Sequence, residues 1–313
     1  MLIKGNQIYD ESGRILILRG CCIEGSPKSP VSSPNAASQG SDSQKNPSKV
    51  SFTGCPFPLE DAETCFKRLK NWGFTFLRFI ITWEALEHEG PGIYDEEYLA
   101  YLRKIMLEAE KQGIFVFIDP RQDDWDKRTG GAPAWTLESE NLESEKTENW
   151  LREKYIAAIN HCKRRLKKCK AIVGWGLLNE PDSGFISRAD ICTNIVIEDS
   201  AMETLLSPYP MATAGTPLEI NWDSKNLTFR YRFIANPEVK ALTEIFVPAQ
   251  LFAGNMKALI INTNNINNSN TTNNTPGSLT ELLKAEIRPE DNRVFIHNEG
   301  YSGEAEIIVT PAP

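Results

Sequence analysis

Residues Ile172-Val173-Gly174-Trp175-Gly176-Leu177-Leu178 form a dense apolar run that ends abruptly in an amide, a carboxylate and a proline, Asn179-Glu180-Pro181. Such a run suits a strand buried on both faces, as in a parallel sheet with helices outside. Pro181 cannot donate to a sheet ladder, so the strand is expected to stop there. Asn179 and Glu180 then stand at its carboxyl end, where α/β folds place their chemistry. A carboxylate beside a low-dielectric core is expected to hold its proton to higher pH, as a general acid requires. A glutamate merely capped by neighbours or solvent accounts for the same residues, so the strand ending alone does not decide between them.

The preceding sequence repeats the pattern. Ile15 to Cys22 (ILILRGCC) reads as a buried strand, following a strand and polar turn at Ile8 to Arg14. Pro58 to Trp72 places Ala62, Cys65, Phe66 and Leu69 at helical spacing, with Gly73 as its stop. Phe74 to Trp83 (FTFLRFIITW) is a strand interrupted by Arg78. Tyr94 to Gln112 is a helix ended by Gly113, and Ile114 to Asp119 is another strand. Asn149 to Lys170 is a third long helix, whose HCKRRLKKCK end reads as a solvated, basic helix terminus favoured by the macrodipole. This alternation predicts a parallel sheet with right-handed crossovers. Four such units fit the first half of an eightfold (β/α) barrel or a small doubly wound sheet. No GxGxxG follows the first strand, so nothing favours a dinucleotide.

After Glu180 the pattern changes. Gly215 to Ile220, Leu227 to Ile234, Thr243 to Pro248, Val294 to His297 and Ala305 to Thr310 read as short strands separated by Pro, Gly and Asn, which predicts a small antiparallel β-sandwich. Residues 25–49 are rich in Ser, Pro, Asn and Gln, and 261–278 in Asn and Thr. Both are expected to be disordered, because they cannot bury enough surface to offset their ordering entropy. The expected division is a partial barrel over 1–187, a connection over 188–207 and a sandwich over 208–313.

A net charge of -8 argues against a nucleic-acid partner, whose phosphates need neutralising. Seven cysteines with no CxxC pair suit thiols in a reducing compartment. No segment is long and apolar enough for a membrane span, and the N-terminus lacks a signal-peptide core. A cytoplasmic location is the resulting expectation.

Three polar clusters end predicted strands: Thr82-Trp83-Glu84 with Arg78 behind them, Asp119-Pro120-Arg121-Gln122-Asp123, and Asn179-Glu180. An aromatic platform with carboxylates, amides and an arginine on one rim suits a polyhydroxylated ligand. Taken singly, Arg78 is equally a structural salt-bridge partner, and Asp119, Gln122 and Asp123 are equally turn and cap residues. Their coincidence on one rim favours a site.

The ordered succession LRG, PFPLEDAETCFKRLKNWGFTFLRFIITWEALEHEGPGIYDEEYLAYL, FVFIDPRQDDWDKRTGGAPAWTLE and WGLLNEPDSGF resembles glycoside hydrolase family 5, in its endoglycoceramidase-like branch. That branch includes fungal glucosidases for glucosylceramide and steryl glucosides. GTPLEINWDSKNLTFRYRF and TEIFVPAQLF resemble its C-terminal β-sandwich. The resemblance implies a retaining glycosidase on a (β/α)8 barrel, without metal or cofactor. One carboxyl would serve as acid/base and a second as nucleophile about 5–5.5 Å away. Glu180 matches the acid/base and Asn179 the amide that binds the sugar 2-hydroxyl. Arg78 matches the arginine that supports the nucleophile. Asp119, Gln122 and Asp123 match the glycone-binding group, beside which Trp83 offers its ring.

Two departures stand out. Arg121 replaces the histidine of the family's DPHQD segment, a bulkier permanent cation beside the sugar. Between Phe185 and Gly215 the chain is also too short for four further βα units, which need about 125 residues, half a typical barrel. The family's His-x-Tyr segment and its nucleophilic glutamate have no counterpart. Glu299, in His297-Asn298-Glu299-Gly300, has a superficially similar context, but a sandwich hairpin accounts for it better. The expectation is therefore a family 5 chain acting on glycolipid β-glucosides by descent but hydrolysing little or nothing. The alternative is a non-catalytic binder of glycolipid or of another subunit. A lipid-linked substrate implies peripheral contact with a membrane, and open sheet edges imply self-association.

Overall fold

The computed structural model describes residues 1–23, 31–32, 50–51, 53–121, 131–138, 145–176, 206–262 and 282–312. In chain order it holds β1 (Leu2–Lys4), β2 (Gln7–Tyr9), β3 (Ile15–Leu16), β4 (Gly20–Ile23), the short pair β5 (Val31–Ser32) and β6 (Val50–Ser51), and α1 (Ala62–Asn71). Then come β7 (Phe76–Thr82), α2 (Trp83–Glu87), α3 (Glu96–Gln112), β8 (Phe115–Arg121), α4 (Glu145–Leu166) and β9 (Ile172–Trp175). Among the described residues after β9 the regular structure is β-strand apart from short 3-10 turns: β10 (Tyr209–Thr213), β11 (Gly215–Asp223), β12 (Thr228–Ala235), β13 (Thr243–Phe246), β14 (Met256–Asn262), β15 (Leu283–Arg288), β16 (Arg293–Asn298) and β17 (Gly303–Pro311).

The chain forms two compact units. One comprises Gly20–Lys70 and Phe74–Thr193, the other Met1–Arg19, Asn71–Gly73 and Asn194–Pro313. This corrects the expected assignment of 1–187 to one domain. The run Ile15 to Cys22, expected as one strand, splits at Arg19. Its first half, β3, pairs antiparallel with β10 in the second unit. Its second half, β4, pairs parallel with β7 in the first. The connection at 188–207 lies outside the described residues, apart from its last two. So do most of the tracts 25–49 and 261–278.

In the first unit the sheet order is β4-β7-β8-β9, parallel throughout. The alternation of apolar runs with amphipathic helices produces this sheet. Leu77, Phe79, Ile81, Val116 and Ile118, on one face, join the core formed with Phe66 of α1, Leu102, Ile105 and Met106 of α3, and Ile159 and Cys162 of α4. α3 starts where the Asp95 carboxylate accepts from the Tyr98 N–H at 2.8 Å. It ends at Gly113, whose φ of +72° permits the left-handed cap. The last strand differs from expectation. β9 is half-buried along its length rather than buried on both faces, and among the described residues it is the last strand of the sheet.

In the second unit two antiparallel sheets share a core. Their orders are β1-β2-β3-β10-β13-β16-β15 and β11-β12-β17-β14. The alternation in TFRYRF puts Phe229, Tyr231 and Phe233 inside, against Ile245, Val294, Ile296, Ile307 and Val309. Arg230 and Arg232 point the other way and pair with Glu306, Glu304 and Glu219 on neighbouring strands. β10, β14 and β15 were not among the expected strands. β14 runs into the Asn-rich tract, and the sequence of β15, LKAEIR, carries residues that equally favour a helix.

Candidate active site

The neighbouring strands β7 and β8 bring together two of the expected site residues, Arg78 from within β7 and Asp119 nearer the carboxyl end of β8. Arg78 of β7 and Asp119 of β8 project from the sheet face opposite the helices. The Arg78 Nε donates to Asp119 Oδ2 at 2.6 Å, and a second guanidinium nitrogen contacts the same oxygen. The Asp119 side chain is 7% exposed and that of Arg78 40% exposed. A carboxylate this buried needs such a partner. The pair therefore fulfils the salt-bridge reading of Arg78, and it also fixes Asp119 at the strand end.

The neighbouring strand makes room for this carboxylate. A Cβ added to Gly176 would lie 2.1 Å from Asp119 Oδ1, and one on Gly174 would lie 2.7 Å from the Phe117 ring. Gly176 also donates its N–H to the Ile118 carbonyl at 2.8 Å, extending the contact between strands past β9. The glycines of Gly174-Trp175-Gly176 are thus a part of the site that sequence reasoning did not single out. Their signal was the alternation of Gly with Trp just before the polar ending.

Trp83 is corrected. Expected as an open platform at the end of a strand, it instead begins α2, whose N-cap is the Thr82 hydroxyl accepting from the Ala85 N–H at 3.2 Å. The indole is 1% exposed and meets Trp135 and Tyr155 edge-on, at centroid distances of 5.2 and 5.6 Å. Its N–H donates to Glu87 Oε2 at 2.5 Å. It packs under the rim and offers no ring face to a sugar. Glu87, which sequence reasoning passed over, is a buried carboxylate that also accepts from the Gly92 N–H, while its carbonyl accepts from the Trp135 indole at 2.7 Å. Burial raises its pKa above the usual carboxylate value, opposed by hydrogen bonds from Gly92 and Trp83.

Glu299 lies in the other unit, in the turn between β16 and β17. It is exposed and ion-paired to Lys284 at 2.9 Å, which holds its pKa below the usual value. The turn is built by Asn298, whose Oδ1 accepts from the Gly300 and Tyr301 N–H groups. These are hairpin contacts, and nothing in them activates a nucleophile. The thiols are no substitute, since burial pushes half-buried Cys21 up to about 11 and buried Cys162 up to about 12. Gln122, Asp123, Asn179 and Glu180 lie outside the described residues. No cluster of His, Cys, Asp and Glu among the described residues is arranged to hold a metal ion. No helix among them is long and apolar enough to cross a membrane.

A parallel α/β unit with a charged pair between two of its strands, together with an antiparallel unit, is an architecture with known relatives. Residues 208–296 match the glycoside hydrolase family 5 C-terminal domain. A glucosylceramidase of Aspergillus fumigatus is 43% identical over 137 residues, covering 43% of this chain and 18% of that protein. A glucosylceramidase of Rhizopus delemar is 31% identical over 246 residues, covering 58% of this chain and 36% of that one. An ergosteryl-beta-glucosidase of Saccharomyces cerevisiae is 37% identical over 138 residues, covering 42% and 18%. The chain therefore spans well under half the length of these relatives.

Two solved structures share the fold. Endo-glycoceramidase II from Rhodococcus sp. superposes with a TM-score of 0.62 at 16% identity, over 99% of this chain and 100% of that one. Cryptococcus neoformans sterylglucosidase 1 gives 0.68 at 13% identity, over 97% and 95%. The chain is thus similar, over these stretches, to glycoside hydrolase family 5 proteins, among them glucosylceramidases and an ergosteryl-beta-glucosidase.

Proposed function

We propose that this chain derives from a retaining glycoside hydrolase for glycolipid β-glucosides of the glucosylceramide or steryl glucoside type. We propose further that by itself it hydrolyses them weakly or not at all. The observation that carries the reading is the Arg78–Asp119 pair, fitted against Gly176, three residues before Asn179-Glu180. It places a buried, hydrogen-bonding carboxylate at one strand end, next to the strand that leads into the motif. In this reading Glu180 is the acid/base, and Asn179 binds the sugar 2-hydroxyl. Asp119, Gln122 and Asp123 hold the glycone hydroxyls, with Arg78 orienting Asp119. Gln122, Asp123, Asn179 and Glu180 are assigned by resemblance.

Retention needs a second carboxylate to displace the aglycone and carry the glycosyl group until water releases it. Without it, protonation of the leaving oxygen by Glu180 has no covalent step to assist. Glu299, exposed and ion-paired to Lys284 in a hairpin, is not read as that carboxylate. The four parallel strands are read as the first half of the barrel, with the sandwich following directly. The same facts favour a second reading, a non-catalytic protein that keeps the glycone contacts and binds a glycolipid, touching the membrane that carries it.

Turnover of an aryl β-glucoside and of glucosylceramide by the purified chain separates the readings. Rates near background, unchanged by Glu180→Gln, are expected. Turnover abolished by Glu180→Gln and also by loss of one further carboxylate would overturn the proposal and identify the nucleophile. Saturable glycolipid binding lost on Asp119→Ala, without turnover, would establish the second reading.

A further inference from the structure

We propose that the outer face of the sheet β11-β12-β17-β14 carries a binding groove for a short neutral oligosaccharide, separate from the candidate active site. The groove lies wholly in the antiparallel unit and does not depend on how the parallel unit is read.

Its side chains are brought together by the two-residue period of β12. Phe229, Tyr231 and Phe233 face the core, so Arg230 and Arg232 face outward. The register sets Arg230 beside Asn221 and Arg232 beside Glu219 on β11, with Glu306 of β17 on the other side of Arg232. Together with Asp223 these residues line a cavity of about 500 Å3, within the range of about 300–1,000 Å3 that small-molecule sites occupy. Every residue that lines it is among the described ones.

Most of the lining is held in place before any ligand arrives. Arg232 Nε and Nη2 donate to Glu304 Oε1 at 3.0 and 2.6 Å, and its Nη1 donates to Glu219 Oε2 at 2.7 Å. Asp223 accepts from the Asn226 amide at 2.7 Å and from two N–H groups of the turn between β11 and β12. Glu306 is only 8% exposed although it stands on the outer face, and its Oε1 accepts from Arg230 Nη1 at 3.1 Å. Groups fixed in this way lose little freedom when a ligand binds. Hydrogen-bonding capacity is left over. Among the described residues the exposed Asn221 amide makes no hydrogen bond, and Glu306 Oε2 and the Nε and Nη2 of Arg230 have no partner.

The chemistry of the lining selects the ligand. Three carboxylates stand against two guanidiniums, so the groove holds no excess positive charge for a phosphate or an acidic peptide. Arginines interleaved with the carboxylates oppose a metal ion. Donors and acceptors instead alternate across neighbouring strands, about 5 Å apart. A sugar hydroxyl both donates and accepts, so adjacent hydroxyls can bridge a guanidinium on one strand and a carboxylate or amide on the next. Cross-strand ion pairing by itself uses neither the Asn221 amide nor the second oxygen of Glu306.

The experiment is isothermal titration calorimetry of the full chain with cellotetraose, a neutral β-linked glucose oligomer. Saturable binding is expected with a Kd of about 1 mM, since hydrogen bonds in an open groove leave little after the cost of association. Asn221→Ala is expected to raise the Kd about fivefold, the worth of one hydrogen bond. Its side chain supports nothing in the fold, and an unchanged thermal melt checks this. Asp119→Ala, in the parallel unit, is expected to leave the Kd unaltered. So is a rise in NaCl of about tenfold, because the ligand carries no charge. No saturable binding up to about 20 mM overturns the proposal. Binding lost on Asp119→Ala and untouched by Asn221→Ala also overturns it, because the sugar is then held at the other site. Binding abolished by salt overturns it as well, by identifying an anion site.

Discussion

The two units of this chain handle their sheets differently. In the antiparallel unit, Phe229, Tyr231 and Phe233 of β12 are sealed between two sheets, and the arginines alternating with them are paired to glutamates across the strands. The same sheet still leaves Ile220, Ile234 and Leu259 exposed. In the parallel unit one face is sealed equally well. The other carries half-buried phenylalanines and an arginine–aspartate pair. The match to the family 5 C-terminal domain falls on the first kind of unit, while the candidate chemistry falls on the second. The residues that match the family model and the residues of the candidate site are thus separated along this chain.

The contrast is sharpest for large side chains. Phe233→Ala in the sealed sandwich is expected to cost about 3–5 kcal/mol. Phe117→Ala, on the half-buried face, is expected to cost about 1–2 kcal/mol, because less apolar area leaves water there. Urea unfolding of both variants measures this, and equal losses would break the comparison.

Gly176→Ala comes next. Its Cβ cannot coexist with Asp119 Oδ1 at 2.1 Å, and the Asp119 carboxylate is held by Arg78. Overpacking of this sort costs about 1–3 kcal/mol. A crystal structure of the variant is expected to show Asp119 displaced from Arg78. Unchanged stability together with an unmoved carboxylate would show that the close approach is not a constraint.

The smallest effect is a pH dependence from Glu87. Burial raises its folded-state pKa above the ordinary carboxylate value of 4.5. The native state thus holds this proton more tightly than the unfolded chain does. The stability it contributes is fully present below the unfolded value and is lost as the pH rises through 4.5 toward the folded value. Thermal melts of the wild type and of Glu87→Gln between pH 4 and pH 7, taken as about the range in which such a group titrates, should show the wild type losing stability relative to the variant with rising pH. Parallel curves would remove the role assigned to burial.

Much of this was legible in the sequence, and the misses have physical causes. Helix α3 was readable from its ends, because Asp95 and Gly113 act locally. The sandwich strand β12 was readable because a two-residue period can satisfy only one arrangement of faces. Trp83 was misplaced because a strand and a helix N-terminus share the string IITWE, and only the Thr82 cap decides between them. Glu87 was missed because a glutamate in a polar stretch reads as solvated until the Gly92 turn and the Trp83 indole close on it. Of the site, Arg78 and Asp119 were found as residues. Their direct pairing depended on a register that sequence spacing cannot supply.

By itself the sequence determined the alternating parallel unit, the antiparallel unit after it and the family resemblance. All three are written in local periodicity and in ordered motifs. Only the tertiary structure decided that the apolar run before Cys22 divides between two sheets, that Trp83 is buried, and that Gly176 exists to admit the Asp119 carboxylate. Those outcomes depend on which distant strand lies alongside. Strand pairing is a long-range choice, settled by the fit of side chains that the sequence keeps far apart.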